Sequence, residues 1–67
     1  MRTERRVTAG KRIYVGVYDG GRLIRVFSVY RRSDLGREQR RSLWRPGKPA
    51  TLTSAAALAA LGEAQRR

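Results

Sequence analysis

The sequence predicts an α+β domain: a three-stranded antiparallel sheet, made of a β-hairpin and a third strand, backed by one C-terminal helix and preceded by a flexible basic arm. Three observations carry this expectation. Two runs rich in β-branched and aromatic residues, Ile13–Tyr18 and Leu23–Tyr30, flank Asp19-Gly20-Gly21, the residue types that supply the positive φ of hairpin turns. An alanine-rich run, Ser54–Leu61, follows threonines able to cap a helix. At 67 residues with no cysteine and no histidine, the chain has room for one small core and no disulfide or zinc site to support it.

Residues 1–11 carry Arg2, Arg5, Arg6 and Lys11 with little apolar content beyond Val7 and Ala9. They read as a flexible arm of the kind that orders against phosphate or in a minor groove, or else as a solubilising tail. Residues 12–67 form the domain proper. In its hairpin, a two-residue turn at Asp19-Gly20 or at Gly20-Gly21 places Ile13, Val15, Val17, Ile24 and Val26 on one face. A three-residue turn would set Arg25 opposite Val15 and bury a charge without a partner, which is costly. The even loop leaves Arg12, Tyr14, Tyr18, Leu23, Arg25, Phe27, Val29 and Arg31 on the other face, with Gly16 among them giving room for close approach. The aliphatic face is expected under the helix, and the face mixing arginines with aromatic rings is expected to stay open.

Ser33–Glu38 is rich in turn formers and reads as a loop. Gln39–Arg45 reads as the third strand, ended by Pro46-Gly47. A short helix from Asp34 to Leu43 is the rival, weakened by Gly36 and Gln39. For the C-terminal helix, Thr53 is the expected N-cap and Thr51 the alternative. Ala55, Leu58, Ala59 and Gly62 line its stripe, with Leu61 beside it. Arg66 and Arg67 complement the dipole at its end. Ala56 and Ala60 make a small-residue pair suited to packing on the sheet, or to a homodimer contact.

Charge bounds the function. Lys and Arg number 16 against 5 acids, a net +11, and arginine outnumbers lysine 14 to 2. A surface this basic repels itself unless a polyanion shares its surroundings. Arginine's planar fork suits phosphates and guanine edges, so nucleic acid is the expected partner, DNA ahead of RNA. With no His or Cys, neither a Ser-His-Asp nor a Cys-His nucleophile can be built. The acids Glu4, Asp19, Asp34, Glu38 and Glu63 are scattered singly. No catalytic residue, cofactor or metal is expected, and a Tyr/Arg/Lys set acting on RNA is the remaining route to catalysis. The basic N-terminus lacks a following apolar segment, so it is not read as a secretory signal. Ala55–Leu61 falls far short of the roughly 20 residues that span a bilayer. A cytoplasmic protein is expected, nucleoid-associated when on DNA, with no membrane partner.

The residues expected to meet nucleic acid divide by role. Arg12, Arg25 and Arg31 contact phosphates or base edges, as a β-ribbon does in a major groove. Tyr14, Tyr18 and Phe27 shape the surface, or stack on bases of a single strand. Arg5, Arg6, Arg40, Arg41 and Arg45 supply sequence-independent affinity through the backbone. The duller reading has the rings covering an exposed sheet face beneath arginine stems, Trp44 in the core, and the charges around it as a solvated strand edge.

Arg12–Tyr18, Arg22–Arg31, Arg40–Trp44 and Thr53–Ala64 give the order strand, turn, strand, loop, strand, helix with a basic outer face. This resembles the arm-type DNA-binding domain of phage tyrosine integrases and is similar to plant ethylene-response-type DNA-binding domains. The resemblance implies a three-stranded sheet lying in the major groove with the helix behind it. A looser similarity is to double-stranded-RNA-binding domains. A third, around Leu23–Arg41, is to RelE/ParE-type toxins. The expected function is a non-enzymatic DNA-binding module, bacterial or phage-encoded. The alternatives are a protein-binding module docking on an acidic host protein through the hairpin edge or a face bearing Tyr14, Phe27 and Val29, and an RNA- or ribosome-binding protein.

Overall fold

In the computed structural model, which describes residues 1–32 and 36–62, four antiparallel strands lie side by side in chain order: β1 (Arg2–Ala9), β2 (Arg12–Asp19), β3 (Arg22–Arg32) and β4 (Arg37–Trp44). One helix follows, α1 (Leu52–Ala60). The α+β class and the sheet-plus-C-terminal-helix order are as expected, with four strands rather than three. No described helix is long and apolar enough to cross a membrane.

The extra strand is the segment read as a flexible arm. β1 is almost wholly exposed and has no apolar alternation to announce it. It forms because Gly10 takes a φ of +63° in a two-residue turn with Lys11, pairing Ala9 with Arg12. Positive φ at the first turn position only is the type II′ pattern, whose twist matches that of the strands. The Gly10-Lys11 dipeptide is the local signal for this strand. As an edge strand laden with charge, β1 is protected from pairing with a further chain.

The next hairpin turns at Gly20-Gly21, with φ of +61° and +86°, one of the two expected even loops. The register then breaks. Tyr18 pairs with Leu23, but Val17 pairs with Arg25, so Ile24 is an extra residue in β3. A bulge reverses side-chain parity beyond it. Leu23 and Val26 therefore share one face, while Arg25, Phe27 and Val29 occupy the other. A second bulge pairs Val26 with Trp44 but Phe27 with Ser42, leaving Leu43 extra in β4. Leu43 and Trp44, adjacent in sequence, can then both pack on the core.

That core reverses the expected faces for β2, Leu23 and Ile24, and keeps them for β3 beyond the bulge, with Val26 inside and Arg25, Phe27, Val29 and Arg31 on the other side. The helix sits over Tyr14, Gly16 and Val26, and the buried cluster is Tyr14, Val26, Ala57 and Leu61. Val15 belongs to the opposite face, with Ile13 and Val17. Gly16 explains the choice: a Cβ there would lie 3.0 and 3.2 Å from the two Leu61 methyl carbons. Only the glycine face admits the helix this closely, so Tyr14, expected in the open, is buried beneath it.

Thr51, the alternative cap, is the N-cap. Its Oγ1 accepts from the Ser54 amide at 3.1 Å, and Ser54 Oγ accepts from the Thr51 amide at 2.7 Å. This reciprocal capping box satisfies two otherwise orphaned donors. Thr51→Ala is expected to lower stability by about 1 kcal/mol, read from the midpoint of urea unfolding. The buried stripe of α1 is Ser54 and Ala57, continued by Leu61, while Ala55 and Ala59 are exposed, a shift from the expected stripe that places Leu61 against Gly16. Arg66 and Arg67 lie outside the described residues. Among the described residues, β1 supplies a positive charge at the helix end, where Arg5 Nη1 donates to the Leu61 carbonyl at 3.2 Å.

Candidate nucleic-acid interface

Strand alternation and the register divide the sheet into a helix-covered face and an open one. Five of the expected site residues reach the open face: Arg6, Arg25, Phe27, Arg31 and Arg40. The others lie elsewhere. Tyr14 is buried and Tyr18 half-buried on the helix side. Arg5 is engaged at the helix end, and Arg12 and Arg41 line a cleft of about 310 Å³ with Thr53 near the start of α1. Arg45, just past β4, shares a depression of about 280 Å³ with Trp44, Lys48 and Arg25. The ring-and-arginine face expected from the hairpin is thus split between the two sides by the Ile24 bulge and by the position of the helix.

Two acids unmarked in the sequence organise the open face. Arg6 on β1 donates both terminal nitrogens to Glu38 on β4, at 2.9 and 3.0 Å. Arg40 on β4 donates in the same forked way to Glu4 on β1, at 3.2 and 3.1 Å. The outer strands are three strand spacings apart, about 14 Å in a flat sheet, so all four side chains extend inward over β2 and β3. The signal in the sequence is a repeated pattern, Glu4-Arg5-Arg6 and Glu38-Gln39-Arg40. Residues two apart share a strand face, and an antiparallel copy of Glu-x-Arg sets each acid against the other copy's arginine. The separation of 32 to 36 residues between partners hides this until the topology is known.

This double clasp accounts for burial where no helix lies. Val15 is 1 % exposed and Val29 6 %, yet both face away from α1. Arg6 is the cross-strand neighbour of Val15, and Arg40 that of Val29. Their aliphatic stems, with Phe27, roof the two valines. The guanidinium carbons of Arg25 and Arg40 lie 5.1 and 5.7 Å from the Phe27 ring centroid, within cation–π range.

The hydrogen bonds from Arg40 hold the Glu4 carboxyl below the usual glutamate range, and those from Arg6 do the same for Glu38. A depressed carboxyl pKa contributes stability that is present above the unfolded-state pKa and lost as pH falls through the folded-state value. Carboxyl ¹³C shifts followed through an acid titration are therefore expected to show Glu4 and Glu38 protonating below a free glutamate. Added salt should bring both back toward the ordinary value, since the pairs are only half-covered.

At one corner of the open face lies a depression of about 470 Å³. Val17, Ile24 and Phe27 contribute its apolar lining, and Arg2, Arg25, Arg40 and Glu4 its charged lining. Arg2, Glu4, Val17 and Ile24 add to the residues the sequence points to: Arg2 and Glu4 come from the strand expected as an arm, and Val17 and Ile24 from the face expected in the core. The chain matches no protein-family model, no curated protein and no solved structure.

Proposed function

We propose that this chain is a non-enzymatic nucleic-acid-binding protein, with DNA ahead of RNA, that engages its ligand through the helix-free face of the sheet. The observation that carries the reading is the corner where Arg2, Arg25 and Arg40 surround Phe27, on a chain of net charge +11. Forked donors beside an aromatic ring supply both phosphate contact and base contact. The order β2, β3, β4, α1, with the helix behind the sheet, also suits the resemblance to sheet-reading DNA-binding domains. The protein-docking alternative loses one of its two surfaces, because Tyr14 and Phe27 point to opposite faces. Its other surface, a hairpin edge, is the charged strand β1.

Titration of the whole chain against labelled duplex DNA, duplex RNA and single strands at ~0.1 M salt tests the reading. Measurable affinity, reduced in Arg25→Ala with an unchanged thermal melt, is the expected result. Absence of affinity for every nucleic acid would move the protein to the class that docks on acidic proteins.

A further inference from the structure

The corner depression has features that a duplex leaves unused. A base pair within a stack hides its π-faces, whereas an unpaired base offers them. Here the apolar lining comes from Val17, Ile24 and Phe27, and forks in no ion pair among the described residues come from Arg2 and from Arg25, whose guanidinium lies over the Phe27 ring where a base would take its place. Arg40 is already held by Glu4, and that carboxylate disfavours a phosphate in the middle of the hollow. The centre of the face is roofed by the clasp, so a duplex would meet arginine heads and two acids there. Resting on the nucleic-acid reading above, we propose that this corner holds one unpaired nucleotide of a single strand, its base against Phe27, Val17 and Ile24 and its flanking phosphates on Arg2 and Arg25. The volume is ample for one base with its sugar, and the open side lets the strand pass on.

The test compares three labelled ligands on the full chain by fluorescence anisotropy: an oligothymidylate, an abasic strand of the same length, and a duplex. The abasic strand keeps the phosphates and lacks the rings. Expected is a roughly 5- to 150-fold preference for the oligothymidylate over the abasic strand, the range for one stacked base. Phe27→Leu, which keeps the roof over Val15 but removes the ring, should abolish the preference, and Phe27→Trp should restore it. Far-UV circular dichroism and melting of each variant report whether the fold survives. Equal affinity for the two single strands, or a preference that Phe27→Leu leaves intact, overturns this assignment while the nucleic-acid reading stands. Tighter binding of the duplex than of the oligothymidylate overturns it also. No binding to any of the three overturns both.

Discussion

Leu61→Ala is expected to unfold the domain outright. A core of this length supplies roughly 3–5 kcal/mol, and truncating a buried leucine costs about 2–5 kcal/mol. Leu61 is 1 % exposed and fills the notch over Gly16. The helix has little else to replace it, since its other fully covered residues are Ser54 and Ala57. Circular dichroism during heating should show no cooperative transition for this variant at room temperature and above. Leu52→Ala makes the comparison fair: that side chain is 94 % exposed, so its removal should change stability by no more than about 0.5 kcal/mol. A Leu61→Ala melt matching the parent would mean that the helix does not hold the sheet.

Affinity for nucleic acid should fall by about two decades over a modest rise in salt. If Arg2, Arg25, Arg31 and Arg40 each neutralise a phosphate, log K falls with log salt at a slope of about −3.6 on a duplex and about −2.8 on a single strand. Between about 50 and 200 mM, that is roughly 150-fold and 50-fold respectively. The clasp sharpens the expectation. Of the two clasp arginines only Arg40 is among those four, exchanging Glu4 for a phosphate, so freeing both with Glu4→Gln and Glu38→Gln should add Arg6 and steepen the duplex slope by about 0.9. A slope near zero would show that the arginines do not meet phosphate. A double variant with the parent's slope would show that the clasp lies outside the interface.

The clasp also clarifies why the open face is not simply a basic surface. Its four charged groups cancel in pairs, whereas Arg2, Arg22, Arg25 and Arg31 on that side are in no ion pair among the described residues. Long side chains meeting over Val15 and Val29 cover apolar area that a second helix would otherwise be needed to bury. A small chain thereby gains a second, shallow layer without a second packed element.

Local features of the sequence determined a good deal by themselves. Glycines at Gly20-Gly21 required a hairpin, β-branched runs required strands on either side, and threonine followed by alanines required a capped helix. These features act within a few residues, where sterics and capping decide, so they need no knowledge of the rest of the chain. The charge and the lack of His and Cys bounded the chemistry in the same direct way. Tertiary structure alone decided which face of the sheet the helix covers. Ile24 as a bulge changes the parity of every later residue in β3, and nothing local to Leu23-Ile24-Arg25 distinguishes it from a regular strand. Gly16 then receives Leu61, so Tyr14 goes inside and Val15 outside. The pairing of Glu4 with Arg40, and of Arg6 with Glu38, likewise waits on two edge strands being brought to face each other. Such contacts depend on register summed over the whole sheet, and a single displaced residue sends every side chain beyond it to the other side.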